Sequence, residues 1–389
     1  MEGNKYGSYE VVVLGGGIAG ISAALAAARN GAKTLLVESS YFLGGLATSG
    51  LVTIYLPLCD GCGHQLSFGI AEELLKLSVS YGAEAEYPKA WLEEGSKEDR
   101  IRHRYRTEYN PQIFGILAEK ELLRAGAEIL YGATLTHAEV MQSYIKEITV
   151  STRTETLIVE GSRFVDATGD ATLCALSGEG TKTAKTGNVL AAWYYELLDG
   201  RQSLKMNGSC DYIYSRGVQG KTYGGLESRE ISEYTVTSHD AVLKDFLQKG
   251  GISQSHALTG VATIPQFRMT RRLCGRTEIL KSDNRKYRED SVGLFGSWLE
   301  CGLAFELPFG ALIGKTVRNL GAAGRCISSG TEEMWDITRV IPVCAVSGEA
   351  IGTAAAVGKD FHTVDIKKVQ DALRRQNVKI HLEEIKELT

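Results

Sequence analysis

The sequence contains few prolines and no long apolar run, and neither sign of charge is in large excess. It holds 6 prolines in 389 residues, and 43 Lys plus Arg stand against 47 Asp plus Glu, a net charge of −4. A nucleic-acid-binding protein is not expected, because phosphate neutralisation needs a clustered basic surface. No apolar run reaches the roughly 18 residues of a bilayer span, and the first residues lack the apolar core of a signal peptide. We therefore expect a cytoplasmic globular enzyme without a membrane span.

Cysteine is present without the pattern of a disulfide framework. There are eight cysteines in the chain, and a chain of this length builds a core without cross-links. Cys59 and Cys62 form the single C-x-x-C spacing in the sequence. Three interpretations stay open for this pair: two free thiols in a loop, a thiol relay to a redox cofactor, or half of a metal site near His64. A metal site needs further ligands, so no metal is predicted.

Glycine is abundant, with 44 residues, and the first cluster follows a predicted strand. Residues 9–14 form an apolar, β-branched run, and residues 15–20 then read G-x-G-x-x-G. A helix over 21–30 and a second strand over 34–37 are predicted next. This order is typical of a dinucleotide-binding unit, in which amides at the helix start hold the pyrophosphate. The predicted contacts are Gly15, Gly17, Ile18, Ala19 and Gly20.

An acidic residue ends the second predicted strand. Glu38 follows the last glycine of the fingerprint by 18 residues, where a carboxylate accepts hydrogen bonds from the adenosine ribose. Ser39 is included in this predicted ribose site. A 2′-phosphate would be repelled there, but the fingerprint alone does not choose between NAD and FAD.

The residues that follow favour FAD. Residues 42–48 read Phe-Leu-Gly-Gly-Leu-Ala-Thr, which resembles the two-dinucleotide-domain flavoproteins, the group around glutathione reductase and the succinate dehydrogenase flavoprotein. In that group a Gly-Gly pair with a nearby Ser or Thr runs along the pyrophosphate and ribityl chain of FAD. The resemblance implies FAD contacts from Gly44, Gly45, Leu46, Ala47 and Thr48.

Later segments resemble one family of FAD-dependent oxidoreductases, FAD_oxidored. Residues 167–170 read Ala-Thr-Gly-Asp and residues 323–328 read Ala-Gly-Arg-Cys-Ile-Ser. The resemblance covers residues 9–78, 107–178 and roughly 305–358. It implies further FAD contacts from Leu135, Ala167, Thr168, Gly169, Asp170, Gly324, Arg325, Arg339 and Val340. The broader group has an aspartate where this chain has Arg325, so the ribityl contact is open and Asp170 is a candidate for it.

The middle of the chain is predicted to bind the substrate. Residues 179–300 carry no glycine fingerprint, so we expect an inserted substrate domain rather than a built-in NADPH domain. The electron donor or acceptor is therefore unknown.

Flavin oxidoreduction needs a cation to hold an anionic substrate or a base to take a proton. Residues 268–272 read Arg-x-Thr-Arg-Arg, a segment that resembles the family, and Arg271 is favoured as the catalytic cation over Arg268 and Arg272. Arg339 is a second catalytic candidate. His256 and His239 are candidate bases in the inserted region.

The predicted fold is α/β, a Rossmann-like FAD-binding domain with a parallel sheet, a crossover β-hairpin layer and an inserted mixed α/β substrate domain. The predicted parts are residues 1–178, 179–300 and 301–389. The last part ends in an amphipathic helix from Asp365, which is expected to pack on a second copy in a homo-oligomer.

The predicted function is hydride transfer between a small organic substrate and N5 of non-covalent FAD. One alternative is a thiol–disulfide flavoenzyme using Cys59 and Cys62. The other is a flavin-binding electron-transfer subunit without a substrate of its own.

Overall fold

The computed structural model describes residues 3–208, 220–386 and 388. Residues 209–219 of the predicted insert, and residues 1, 2, 387 and 389 at the predicted ends, lie outside this part of the chain. The strands are β1 (Asn4–Leu14), β2 (Thr34–Val37), β3 (Ile54–Tyr55), β4 (Thr107–Glu108), β5 (Glu128–Leu130), β6 (Thr134–Met141), β7 (Tyr144–Ser151), β8 (Thr156–Asp166), β9 (Thr181–Thr183), β10 (Ala191–Leu198), β11 (Arg201–Gly208), β12 (His256–Val261), β13 (Arg271–Leu273), β14 (Ser291–Gly296), β15 (Ala304–Pro308) and β16 (Leu320–Ala322).

The helices of the described residues follow the same chain order. They are α1 (Ile18–Arg29), α2 (Ile70–Ser78), α3 (Lys89–Leu92), α4 (Lys97–Arg102), α5 (Pro111–Arg124), α6 (Thr172–Leu176), α7 (Ser228–Gln248), α8 (Glu332–Thr338), α9 (Ile341–Val357) and α10 (Ile366–Arg375). In these residues no single helix has both the length and the apolar composition of a membrane span. Helices α8 and α9 meet that test only as a pair, bent by 80° at their junction.

The central sheet draws on both ends of the chain. Strands β5, β2, β1 and β8 lie side by side in parallel, and the short β16 pairs in parallel with the end of β8. All four residues of β2 are buried, as expected for a parallel strand covered on both faces. This arrangement confirms the predicted parallel α/β sheet assembled from both ends.

The predicted hairpin layer is also present. Strands β6, β7 and β8 form an antiparallel meander, in which the first half of β8 pairs with β7 and its last three residues pair with β16. One long strand therefore serves both the meander and the parallel sheet.

Helices α1 and α9 pack closely on each other on one face of this sheet. A Cβ added at Gly348 or Gly352 would overlap the carbonyl oxygen of Ala19 or Ala23 on α1. Glycine thus lets the two helices approach, and their N-termini come to the same edge of the sheet.

The insert forms a separate antiparallel layer. Strands β11, β10 and β12 pair in that order, and α7 packs on them through Val242 against Tyr194. The layer is fastened to the nucleotide-binding half by the hydroxyl pair Thr53 and Tyr195, 2.8 Å apart, and by the Gln266 amide, which donates to the carbonyl of Gly50.

The predicted division at residue 300 does not match the packing. Ile279, Val292 and Phe295 belong to the same core cluster as α1 and α9. We propose that the insert is narrower than residues 179–300 and that its last twenty or so residues belong to the nucleotide-binding half.

The terminal amphipathic helix packs on its own chain. Asp365 caps α10, Val369 and Leu373 are fully buried in the main core, and Gln370 Nε2 donates to the carbonyl of Ser291 at 3.0 Å. The apolar face that suggested a second copy is therefore covered within the chain, and the homo-oligomer stays a prediction.

Candidate active site

A cavity of about 440 Å³ runs along the carboxyl edge of the parallel sheet, where loops and helix N-termini meet. Ligands of open α/β sheets bind at this edge. The predicted cofactor residues that line it are Gly15, Gly17, Ile18, Ala19, Glu38, Ser39, Gly44, Gly45, Leu46, Ala47, Leu135, Ala167, Thr168, Gly169, Asp170, Gly324, Arg325, Arg339 and Val340.

The first glycine turn is shaped by backbone contacts. Gly15 has φ +97°, and a Cβ there would lie 2.5 Å from the carbonyl oxygen of Ala167. Gly17 has no atom within 4 Å of the corresponding position, so its backbone faces the open cavity. Helix α1 begins next to it without a side-chain cap or an acidic residue in its first turn. The first-turn amides of a helix have no intrahelical partner and attract anions, so this end suits a pyrophosphate.

Glu38 lines the cavity at the end of β2 and also holds the turn together. Its Oε2 accepts from the Gly16 amide at 2.6 Å, and its Oε1 accepts from the Ser40 amide at 2.7 Å. Each carboxylate oxygen accepts more than one hydrogen bond. The Glu38 carboxylate can therefore still accept a hydrogen bond from a ribose hydroxyl while it holds the backbone at Gly16 and Ser40 in place.

The second glycine pair packs directly on the first turn. The Gly44 amide donates to the Gly16 carbonyl at 2.8 Å, and a Cβ at Gly45 would lie 3.3 Å from the Gly17 Cα. Both glycines have positive φ, 103° and 55°. Side chains at these positions would strain the backbone and fill the floor of the cavity.

An arginine–aspartate pair lies near the Ala-Thr-Gly-Asp motif. Arg325 Nη2 donates to Asp170 Oδ1 at 2.7 Å, and the same guanidinium donates to the carbonyls of Gly169 and Phe267. Thr270 Oγ1 also donates to Asp170 at 2.6 Å. Arg325 thus joins the sheet edge to the insert through these hydrogen bonds.

The N-terminus of α9 faces the cavity from the other side. Its cap Val340 has no side-chain hydrogen bond, and Arg339, Val340, Ile341 and Cys344 line the cavity. The Arg339 guanidinium forms an ion pair with the buried carboxylate of Asp336. Burial raises the pKa of the Cys344 thiol to about 12, so Cys344 contributes a neutral thiol to the lining.

Six described residues of the insert line the cavity, namely Gly225, Ile231, Ile264, Pro265, Phe267 and Arg268. Of these, only Arg268 was considered as a site residue in the sequence analysis. On the nucleotide side Val52, Ile54 and Leu56 add an apolar wall. Apolar residues at the alternate positions Val52, Ile54 and Leu56 indicate one apolar face of an extended segment. Nothing in the sequence related this face to a ligand.

Two predicted catalytic residues lie away from the cavity. Arg271 Nε donates to the carbonyl of Asp170 at 2.8 Å, and its side chain does not line the cavity. His256 is buried on β12, with Nε2 3.5 Å from Glu196 Oε2 and its ring 4.5 Å from that of Phe246. A hydrogen bond holds Arg271 to the backbone of Asp170, and His256 packs within the insert, so neither side chain lines the cavity. Their catalytic roles stay predictions. His239 is exposed and does not line the cavity either.

Two predicted cofactor residues support the cavity without lining it. Gly20 lets α1 approach the turn, since a Cβ there would overlap the Gly15 carbonyl oxygen. The Thr48 hydroxyl donates to the Leu43 carbonyl at 2.5 Å and packs under Gly44. The predicted direct contacts from Gly20 and Thr48 are therefore replaced by support of the backbone.

The C-x-x-C pair also lies outside the cavity lining. Cys59 is buried and accepts from the Tyr105 amide at 3.3 Å, and Cys62 is partly exposed. Burial raises the pKa of both thiols. Within the described residues no group of three or more His, Cys, Asp and Glu side chains is placed to hold a metal ion.

The fold and the cavity define a dinucleotide-binding flavoprotein. The sequence profile of the FAD dependent oxidoreductase family matches residues 10–191 and 179–373. The chain belongs to this family, so it is an enzyme and its cofactor is FAD.

Individual relatives are distant. A thioredoxin reductase of Ureaplasma parvum serovar 3 is 35% identical over 77 residues, which are 20% of this chain and 25% of that protein. The chain thus matches about a quarter of the length of this curated relative.

The solved structure of p-nitrophenol 4-monooxygenase from Pseudomonas putida DLL-E4 aligns with a TM-score of 0.51 and 10% identity, over 94% of this chain and 84% of that one. A geranylgeranyl bacteriochlorophyll reductase-like protein of Thermoplasma acidophilum aligns with a TM-score of 0.45 and 12% identity, over 98% and 82% of the two chains. At 10% identity the monooxygenase shows a shared fold alone.

Proposed function

We propose that this flavoenzyme transfers a hydride between a small organic substrate and N5 of its flavin. The observation that supports the proposal is one cavity that joins the dinucleotide turn to the apolar lining of the insert. A cofactor at the sheet edge and a substrate under the insert would therefore share one cavity.

The residues present fit FAD. Open space faces Gly17, the first-turn amides of α1 would hold the pyrophosphate, and Glu38 would accept from the ribose. Leu135 would contact the adenosine part of the cofactor, and Asp170 and Arg325 line the same cavity. We propose the nineteen lining residues given above as the FAD-binding set.

The chain supplies electrostatics and exclusion of water to the reaction. When bound, FAD supplies the hydride-accepting and hydride-donating chemistry at N5. The positive N-terminus of α9 would stabilise negative charge that develops on the ligand nearest to it. Ile264, Pro265 and Phe267 line the cavity from the insert side. A ligand packed against them would have less water beside it, which would strengthen each of these electrostatic interactions.

The thiol–disulfide alternative draws support from the thioredoxin reductase relative. The positions of Cys59 and Cys62 outside the cavity lining, and their raised pKa values, oppose it, because the thiolate is the reactive form.

The decisive experiment is anaerobic reduction of the purified flavoprotein. Small hydroxy, amino and unsaturated acids are screened as electron donors. We expect one of these classes to bleach the visible absorption band of the flavin. A preparation that binds FAD but is bleached by no organic donor would favour the electron-transfer subunit. A colourless preparation that takes up no FAD would overturn the proposal.

A further inference from the structure

A third cysteine lies beside the C-x-x-C loop, although it is far away in the sequence. Cys301 stands in the turn between β14 and β15. The amide of the next residue, Gly302, donates to the Asp60 carbonyl at 2.8 Å, so the backbone of this turn adjoins the backbone of the C-x-x-C loop. The fold therefore brings a thiol of the hairpin turn to the loop that carries Cys62.

The thiols of Cys62 and Cys301 each lie close to the glycine beside the other cysteine. A Cβ added at Gly61 would lie 2.6 Å from Cys301 Sγ, and a Cβ added at Gly302 would lie 3.8 Å from Cys62 Sγ. Gly61 directly precedes Cys62, and Gly302 directly follows Cys301. A disulfide spans Cα atoms about 4.4 to 6.8 Å apart, and backbone segments joined by ladder hydrogen bonds have facing Cα atoms about 4.5 to 5.5 Å apart. The two cysteines are therefore placed for a cross-link between the loops.

The backbone of the Cys62 loop is held in shape by the buried carboxylate of Asp60. Its Oδ1 accepts from the Cys62 amide at 2.7 Å, and its Oδ2 lies 2.8 Å from His64 Nδ1. Gly61 and Gly63 adopt positive φ, 79° and 92°. Because this loop is already ordered, a bond between the two sulfur atoms would cost little further conformational entropy.

Accessibility separates Cys62 and Cys301 from Cys59. Cys59 is fully buried, and its sulfur accepts from the Tyr105 amide at 3.3 Å. Cys301 is exposed and Cys62 is partly exposed. An oxidant in solution therefore reaches Cys301 first and Cys62 second, whereas Cys59 is shielded.

We propose that Cys62 and Cys301 form a reversible disulfide, a modification site that exchanges with small-molecule disulfides. The inference does not depend on the hydride-transfer proposal, since neither cysteine lines the cavity. The Cys301 thiolate attacks one sulfur of the small disulfide, which gives a mixed disulfide and releases one thiolate. The Cys62 thiolate then attacks the Cys301 sulfur, which closes the cross-link and releases the second thiolate. The protein loses two electrons and two protons, and the small disulfide is reduced to two thiols.

The surroundings of Cys62 set the conditions for the exchange. Burial, Asp60 and Cys301 raise the pKa of its thiol, and Arg285 opposes this rise. Because the thiolate is the reactive form, the cross-link should form faster in mildly alkaline solution.

The test maps the disulfides of the FAD-loaded protein after exposure to oxidised glutathione at about pH 8.5. Free thiols are alkylated, and the digested peptides are identified by mass spectrometry. We expect peptides joined through Cys62 and Cys301 to exceed glutathione adducts of these two residues at least about tenfold, because the second thiol lies beside the first. Dithiothreitol should remove the cross-link. Glutathione adducts alone, a Cys59–Cys62 cross-link in its place, or two unmodified thiols would overturn the inference.

Variants give a second measurement by gel electrophoresis without reductant. A cross-link between distant residues makes the denatured chain more compact, so the oxidised parent chain should migrate faster than the reduced one. C301S should lose this shift and carry a glutathione adduct on Cys62. C274S, which replaces another partly exposed cysteine, should keep the shift. A shift retained in C301S would overturn the inference, and if C301S does not fold, the peptide map of the parent chain decides alone.

Discussion

The two sides of the cavity are built from different materials. On the nucleotide side the glycine turns bring the backbone itself into the wall, and Gly15, Gly20 and Gly45 stand where side chains would meet other backbone atoms. On the insert side the wall consists of side chains, held by amide contacts of Asn188 and Gln266. A wall of backbone restricts the amino acids that fit and leaves a motif in the sequence. A cavity wall built from packed side chains can be formed by many different sequences, so it leaves no recognisable motif.

The largest effect should come from the tightest glycine of the nucleotide side. In G20A the new methyl would overlap the Gly15 carbonyl, and we expect at least about 3 kcal/mol of lost stability together with loss of FAD. Urea unfolding measures the first and flavin absorbance the second. The control is G260A in β12, where the nearest atom is Tyr195 Cβ at 3.5 Å. An equal loss of stability and of bound FAD in G20A and G260A would contradict the proposed difference between the two sides of the cavity.

The pH dependence of stability should also come from the nucleotide half. Glu349 on α9 is buried, its Oε2 accepts from the Ile70 amide at 2.8 Å, and burial raises its pKa to about 8. Glu73 adds to this rise, and Arg29 opposes it. Because the folded state keeps a proton that the unfolded state releases near pH 4.5, stability should fall by a few kcal/mol as the pH rises from about 4.5 to 8.

E349Q should remove most of that slope, since the amide cannot ionise. Urea midpoints at pH 5.5 and pH 8 measure it in both proteins. A variant with the same slope as the parent chain would show that the pH dependence arises elsewhere.

A smaller and more selective effect is expected at the open glycine of the first turn. G17A adds a methyl where no atom lies within 4 Å, at a φ of −70° that alanine adopts. Stability should change by less than about 0.5 kcal/mol, while the Kd for FAD rises at least about tenfold because the methyl meets the pyrophosphate. Fluorescence titration of FAD measures the affinity. Unchanged affinity would place the pyrophosphate elsewhere.

The smallest effect is expected from the cysteines outside the cavity. Cys59→Ala combined with Cys62→Ser should leave the rate of flavin reduction by an organic donor within about twofold of the parent value, a difference of less than about 0.5 kcal/mol in barrier. Stopped-flow absorbance follows the rate. A loss of flavin-linked disulfide reduction in the same variant would restore the thiol–disulfide alternative.

The regular elements of the nucleotide half were predictable to within a few residues. The second strand begins at Thr34, as predicted, and ends one residue before the predicted end at Glu38, while the helix predicted over 21–30 is observed at Ile18–Arg29. Strand β1 proved longer than predicted, starting at Asn4, because its first residues pair with the first half of β8. That extension depends on a partner more than 150 residues away.

The insert side was predictable only in outline. Arg268 and Arg271 stand three positions apart in one basic segment, and residues 262–270 lie outside regular secondary structure. Which arginine faces the cavity depends on where Asn188 and Trp193 hold the backbone and the guanidinium, and neither residue has a motif.

The sequence by itself determined the dinucleotide turn, the parallel sheet and the family, because tight backbone geometry admits only glycine at fixed spacings. The tertiary structure alone decided that Gly20 and Thr48 support the cavity rather than line it, that the terminal helix folds back on its own chain, and which arginine of the insert lines the cavity. These outcomes depend on contacts between residues far apart in the chain, and such contacts are set by packing, which leaves no local periodicity to read.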